Sequence, residues 1–315
     1  MMELQKYKRR NSLHTLVLLS CMIALLLALG YSLFGPIGSL FMLFTTAILI
    51  LFTPQTSAWL TLRFYNARPL PYQHLPDLHE LIQKLAVQAH LKETPLLYLI
   101  PSSMPNAFAM QDKNLPLIAL TDGIFRQLSS REVAAILAHE ISHIRNGDLN
   151  VMMLADLLSR TTAALSHAGC LILIIFLPLW LISEIALPWQ TLLLLLIAPT
   201  ASMLLQFTLS RTREFDADMD AAELTGDPHA LASALVKIQR ASEPWWQRFF
   251  LPGKRQTTPS LLRTHPATTE RVERLESIAD KSMQKVLLPK ESFKLLPHNH
   301  LIIKPRRWHG FGIWY

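Results

Sequence analysis

Long apolar stretches interrupt the mixed sequence of this chain at three places. Residues 15–29 carry no charge, residues 37–62 contain no Lys, Arg, Asp or Glu, and residues 161–210 contain a single charged group. A helix needs about 20 apolar residues to cross the core of a bilayer. The first two stretches each suit one crossing, and the third suits two, at roughly 165–183 and 191–209. The pattern predicts an integral membrane protein with about four transmembrane helices.

The mixed segments between and after these stretches predict a small folded domain. A helix is expected over 76–90, where apolar residues recur at helical spacing, and two short apolar runs at 96–100 and 115–120 are typical of strands. The strongest helix prediction covers 129–146. Ser129 and Glu132 form a capping box at its start, and Gly147 suits its end.

Further helices are predicted after the last apolar stretch, over 211–225, 228–241 and 266–280. The fold class is therefore a mainly α membrane protein with a small β-sheet. The chain divides into five segments: an N-terminal transmembrane hairpin (1–62), the first part of a cytoplasmic domain (63–164), a second transmembrane or re-entrant hairpin (165–210), the second part of that domain (211–288), and a basic and aromatic tail (289–315).

The net charge of +7 is explained by the orientation of the chain in a membrane rather than by binding to nucleic acid. Cytoplasmic flanks of membrane spans collect Lys and Arg, and no basic run here is interleaved with aromatic residues as in single-strand binding. The basic flanking residues are Lys6, Lys8, Arg9, Arg10, Arg63, Arg68, Arg211 and Arg213. They predict a lipid bilayer as partner, no nucleic acid, and both termini in the cytoplasm.

Candidate chemistry lies in the helix over 129–146. His139, Glu140 and His143 form the H-E-x-x-H pattern. Residues four apart share one helix face, so both imidazoles can reach one metal ion, while Glu140 is offset by about 100° and can reach a water beside it. Two histidines and one further ligand suit Zn²⁺ with an open position for water, and Glu140 is then the general base.

A third ligand is expected from the acidic stretch R-E-F-D-A-D after the last apolar segment. Glu214 and Asp218 are four residues apart and share a helix face. One could bind the metal while the other accepts a hydrogen bond from the free nitrogen of a ligand histidine. Spacing alone does not choose between them.

The chain resembles the HtpX-type membrane metalloproteases, relatives of the type I CAAX prenyl proteases, in two long stretches. These are A-H-E-I-S-H-I-R-N-G-D and, after an apolar hairpin, S-R-T-R-E-F-D-A-D; shorter matches are P-N-A-F-A at 105–109, T-H-P at 264–266, and Arg271. The resemblance covers roughly residues 1–280. Nothing in the family pattern maps onto the tail 289–315.

The resemblance implies a gluzincin core, in which the metal-binding helix packs under a small sheet, and it implies roles for individual residues. Glu214 is expected as the third zinc ligand, Asp218 as a hydrogen-bond partner within the site, and Arg271 as the partner of the acidic helix. His265 is expected to steady the oxyanion. The substrate-binding edge strand is expected at Asn106, Ala107, Phe108 and Ala109.

The leading functional prediction is a membrane endopeptidase with one zinc ion, which hydrolyses membrane or misfolded polypeptides from the cytoplasmic side of a bacterial inner membrane. One alternative is a CAAX-type processing protease. Another is a zinc-containing scaffold or chaperone without catalysis, although the intact Glu140 disfavours it. A transporter is disfavoured because the apolar stretches contain almost no ionisable residues. The oligomeric state is left open.

Overall fold

The computed structural model describes residues 2–52, 58–112, 115–182, 189–242 and 268–279. The helices of these residues are α1 (Met2–Phe52), α2 (Ala58–Phe64), α3 (Pro76–Gln88), α4 (Asp122–Gln127), α5 (Ser130–Asn146), α6 (Asp148–Ile182), α7 (Trp189–Thr225), α8 (Pro228–Ser242) and α9 (Thr268–Ala279), with one 3₁₀ turn (Tyr72–His74). The strands are β1 (Arg68–Pro69), β2 (Leu96–Ile100), β3 (Ala107–Asp112) and β4 (Leu115–Thr121). The predicted class, mainly helical with a small sheet, is confirmed.

The first helix, α1, reverses direction in its middle. Phe34 and Gly35 have non-helical backbone angles, and Gly35 has φ +64°, which favours glycine. Beyond the turn the two arms touch so closely that a Cβ on Gly38 would lie 2.1 Å from the carbonyl oxygen of Gly30. Residues eight apart in a straight helix would be about 12 Å apart along its axis. The element is therefore a helical hairpin.

Among the described residues, three helices are long and apolar enough to cross a membrane, judged by length and composition: Asn11–Leu51, Asp148–Leu179 and Trp189–Thr225. Four crossings were predicted, and the difference arises because the first of these helices contains the whole reversed hairpin. Large apolar side chains point outward along them, among them Ile37, Ile174 and Leu196 with 77, 66 and 62% exposed. Exposed apolar surface of this extent is typical of helices that face lipid. The number of crossings stays a prediction.

The folded domain contains a four-stranded sheet with the strand order β1-β2-β4-β3. β4 lies between a parallel neighbour, β2, and an antiparallel one, β3, and all but its first residue are buried. β3 is an edge strand. Helix α5 packs its apolar residues, such as Ala134, Ala138 and Ile141, into the same core as Ile118 and Leu120 of β4.

The helix bounds after the sheet differ from prediction in one informative way. The segments 191–209 and 211–225, expected as a membrane helix followed by a separate helix, form one continuous helix, α7. No Gly or Pro lies between Pro199 and Gly226 to stop it. Gly226, with φ +67°, follows its last residue as predicted. One rigid helix thus joins the membrane part to the folded domain.

Helix α6 is also longer than predicted. The crossing was expected to begin near residue 165, but α6 begins at Asp148, just after the end of α5. Of the predicted crossing over 37–62, the described residues belong to α1 as far as Phe52 and to α2 from Ala58. The predicted tail 289–315 lies outside the described residues.

Candidate active site

Helix α5 presents the two histidines of the H-E-x-x-H pattern toward one point. The capping box of Ser129 and Glu132 fixes where the helix starts, and Gly147, in a left-handed conformation, ends it. His139 and His143 lie one turn apart with their Nε2 atoms 3.2 Å from each other. Both side chains are buried. The spacing seen in the sequence therefore produces a pair of converging imidazole nitrogens.

Helix α7 brings Glu214 to the same point from the other side. Its Oε2 lies 3.4 Å from Nε2 of His139, and its Oε1 lies 3.6 Å from Nε2 of His143. The three potential ligand atoms all lie within 4.8 Å of one another, and Glu214 is fully buried. Two imidazole nitrogens and one carboxylate oxygen, closed off from solvent, form a donor set that suits a metal ion such as Zn²⁺.

Asp218 and Arg271 surround the Glu214 side of this cluster. Oδ1 of Asp218 lies 3.1 Å from Nδ1 of His139, the ring nitrogen that faces away from the cluster. Arg271 of α9 is 1% exposed and donates from Nε and Nη2 to both oxygens of Asp218, at 2.7 and 2.6 Å. Its Nη1 lies 3.0 Å from Oε2 of Glu214. One guanidinium thus holds the two carboxylates of α7 in place.

The charges in this cluster compensate one another. Burial alone lowers the pKa of His139, but the carboxylates of Asp218 and Glu214 outweigh it and raise that pKa to about 10. Burial likewise opposes the charge of Arg271, while Asp218 and Glu214 raise its pKa.

Glu140 points toward the sheet instead of toward the converging nitrogens. Its Oε2 accepts a hydrogen bond of 2.8 Å from the backbone N–H of Ala109 in β3. Since β3 is the outermost of the described strands on this side of the sheet, the hydrogen bond places a carboxylate at the edge of the sheet. The side chain of Glu140 is only 3% exposed. It lies next to the cluster of potential ligand atoms but is not part of it.

The edge strand itself is fixed at its start by the end of β4. Asn106 donates its backbone N–H to Oγ1 of Thr121 at 2.7 Å, and its carbonyl accepts from Thr121 N at 2.9 Å. Ala107 and Ala109 turn their side chains into the core, while Phe108 packs its ring against Tyr65 with centroids 6.0 Å apart. The four residues predicted as substrate-binding thus lie at the start of β3 and just before it, beside Glu140, and their side chains are buried or half-buried.

Comparison with known proteins gives the family. The profile of Peptidase family M48 matches residues 73–279, well over half of the chain. The chain belongs to peptidase family M48. The Protease HtpX homolog of Pyrococcus furiosus is 33% identical over 287 residues, covering 84% of this chain and 94% of that protein. The Protease HtpX homolog of Acaryochloris marina is 34% identical over 285 residues, covering 84% and 94%.

A solved structure is also similar, the crystal structure of S. mikatae Ste24p. It is 22% identical, with a TM-score of 0.46, and the match covers 87% of this chain. The chain spans 66% of that protein, slightly under two thirds of its length.

Membership of family M48 establishes this chain as a metalloprotease, and its apolar helices together with its protease relatives establish it as an integral membrane protein. The predictions of a hydrolase acting on peptide bonds and of a membrane location are confirmed at this level. The His139, His143 and Glu214 cluster is where a metal ion fits, and it lies inside the matched region.

Asp148 is a site residue that the sequence analysis missed. Its Oδ2 lies 2.9 Å from Nδ1 of His143, and it is fully buried. The signal in the sequence was its position: Gly147 reverses the chain at the end of α5, so the next residue can fold back onto the last turn. Of the other predicted site residues, His265 lies outside the described residues.

Proposed function

We propose that this chain is a zinc-dependent endopeptidase, with Glu140 as the general base, that cleaves membrane or misfolded polypeptides. The observation that supports the proposal most is the convergence of His139, His143 and Glu214, two imidazoles and a carboxylate, in a buried cluster beside an edge strand. The donor set favours zinc among the metals that family M48 could hold, since imidazole and carboxylate with an open position are typical of catalytic zinc.

His139, His143 and Glu214 would hold the ion, and when bound it would supply Lewis-acid polarisation of the substrate carbonyl and acidify a nearby water. Glu140 then takes a proton from the attacking water onto its carboxylate. The water oxygen bonds to the carbonyl carbon, the C–N bond breaks, and Glu140 returns the proton to the leaving nitrogen. The hydrogen bond from Ala109 keeps this carboxylate at the edge of the sheet, where the peptide would lie.

The substrate backbone would add as a further strand to β3, over Asn106 to Ala109. This proposal rests on β3 being the edge strand and on the short distance between it and Glu140. Strand addition reads backbone rather than side chains, which suits a protease for unfolded segments. We assign His265 to the oxyanion and Asp218 and Arg271 to orienting His139 and Glu214.

The site would face the cytoplasm of a bacterial inner membrane, with both chain ends on that side. The argument is that basic residues lie before the first predicted crossing and after the second and fourth, while the turn at 30–38 contains none. A reporter fused after Arg68 is expected to be active only in the cytoplasm. Activity only outside would reverse the topology.

The central test uses the purified full-length chain in detergent with a generic unfolded polypeptide. We expect cleavage that a chelator abolishes and Zn²⁺ restores. Glu140→Gln should lose cleavage by about 10²–10⁴-fold, because an amide cannot accept the proton, while its metal content stays at the wild-type level. The matched control is Glu223→Gln, an exposed residue of α7, which should cleave normally. Near-normal cleavage by Glu140→Gln would show that another group is the base.

A further inference from the structure

The two ligand histidines are held in the same way by two aspartates from different elements. Nδ1 of His139 contacts Asp218 at 3.1 Å, and Nδ1 of His143 contacts Asp148 at 2.9 Å. A carboxylate on the outer ring nitrogen of a ligand histidine fixes its tautomer and raises its basicity as a ligand. Asp148 therefore contacts His143 in the same way that Asp218 contacts His139.

Asp148 is itself held by a residue of α7. Nη1 of Arg213 lies 3.1 Å from Oδ1 of Asp148, the oxygen that does not face His143. Arg213 directly precedes Glu214, so the same turn of α7 supplies a metal ligand and the partner of Asp148. A fully buried carboxylate needs such a partner, since an unpaired buried charge is costly.

Arg213 is in turn held by the N-terminal arm of α1. Its Nη2 donates to Oγ1 of Thr15 at 2.6 Å, across 198 residues of sequence. Thr15 is buried, and its hydroxyl donates to the carbonyl of Asn11 one turn earlier at 3.0 Å. Asn11 makes a second contact to α7, donating from Nδ2 to Asp216, which lies between Glu214 and Asp218. Two side chains of α1 thus bind the stretch of α7 that carries the site.

We propose that Asp148 is a positioning residue for His143 and that the N-terminal membrane helix, through Thr15 and Arg213, holds Asp148 in place. The chain of contacts runs from Thr15 to Arg213, to Asp148, and to His143, each link 2.6–3.1 Å long. The metal site is therefore complete only when the first arm of α1 is docked against α7. The inference rests on the proposed metal set of His139, His143 and Glu214.

The first measurement is the affinity of the purified full-length protein for Zn²⁺ alone, by competition with a chromophoric chelator. Asp148→Asn keeps the shape of the side chain and removes its charge, and it should weaken Zn²⁺ binding by about 10–100-fold. The control is Asp227→Asn, a buried aspartate that caps α8 and pairs with Arg131, away from the site. It should bind Zn²⁺ like the wild type. Wild-type affinity in Asp148→Asn would overturn the assignment.

The second measurement tests the link to the membrane helix. Thr15→Val removes only the hydroxyl that Arg213 reaches, and it should weaken Zn²⁺ binding by roughly 2–10-fold, the worth of one hydrogen bond. Thr46→Val is the matched control, because Thr46 is also buried in α1 and also bonds the carbonyl one turn earlier, but touches nothing in the site. Equal affinities of the two valine variants would overturn the link.

The double variant Thr15→Val with Asp148→Asn distinguishes a chain of contacts from two separate effects. If Thr15 acts through Arg213 and Asp148, the double variant should bind Zn²⁺ no more weakly than Asp148→Asn alone. Losses that multiply would contradict the chain. His143→Ala gives the reference for a destroyed site. If His143→Ala binds Zn²⁺ as tightly as the wild type, the proposed metal set is wrong. If His143→Ala loses Zn²⁺ but the Asp148 and Thr15 variants bind it with wild-type affinity, only the present inference is wrong.

Discussion

The two helices that carry the residues of the proposed metal site, α5 and α7, are built differently. α5 lies within the folded domain, with both ends capped by its own neighbouring residues and its apolar face on the sheet. α7 has no separate start at the site. Its first half is apolar and carries many exposed side chains, and its last four turns carry Glu214 and Asp218. One half of the site is therefore set by local sequence, and the other half by where a membrane helix ends.

This difference explains the dense polar contacts around α7. Arg271 reaches both Glu214 and Asp218, Asn146 at the end of α5 donates to Asp220 at 2.8 Å, and Arg145 pairs with the same carboxylate. These contacts join α7 to α5 and α9 at the level of the site.

The largest expected effect in this comparison concerns the ligands themselves. If α7 contributes a true ligand, Glu214→Ala should lose as much zinc as His143→Ala of α5, because three protein ligands are needed to hold the ion. Metal analysis of the purified variants measures this directly. Glu223→Ala, an exposed change on the same helix, should keep its metal. Stoichiometric zinc in Glu214→Ala would remove α7 from the ligand set.

A smaller loss of zinc binding is expected for a change of Asp218, which lies on α7 and contacts His139 of α5. Asp218→Asn should weaken zinc binding by about 10–100-fold and lower proteolysis, since His139 loses the charged partner at its Nδ1. Zinc titration separates three outcomes. If Asp218→Asn loses zinc outright while Glu214→Ala keeps it, Asp218 is the ligand instead of Glu214. If the zinc affinity of Asp218→Asn is unchanged, Asp218 is only a charged residue of the helix. Circular dichroism should show an intact fold in all variants.

The smallest effect concerns the local construction of α5. Glu132 accepts from the backbone N–H of Ser129 at 2.7 Å, from Ser233 at 2.6 Å and from Lys237 at 2.8 Å. Burial alone raises the pKa of Glu132, but these hydrogen bonds outweigh it and lower that pKa below its ordinary value. Glu132→Gln should cost about 1 kcal/mol of stability at neutral pH, the usual worth of a cap.

The pH dependence of that cost follows from the sign of the shift. A carboxyl whose pKa is lower in the folded state stabilises the fold above its unfolded pKa, about 4.3, and the contribution is lost as the pH falls through the folded pKa. Thermal melts of Glu132→Gln and wild type should therefore differ at pH 7 and converge in acid. Glu223→Gln is the control. A gap that widens in acid would contradict the assignment.

What could be predicted from the sequence lies close together along the chain. The bounds of α5, the strand at 96–100, the shared face of His139 and His143, and the end of α7 at Gly226 all depend on residues within about one helical turn of each other or on a run of like residues. Caps, helical spacing and apolar runs act locally, so they can be recognised without the fold.

The tertiary structure decided how distant segments meet. The pairing of Asp218 with Arg271 crosses 53 residues and that of Thr15 with Arg213 crosses 198, and no periodicity encodes such pairs. The sequence by itself determined the apolar membrane segments, the bounds of α5 and the type of chemistry. Only packing decided which buried charges face one another, because each one needs a partner that local sequence does not supply.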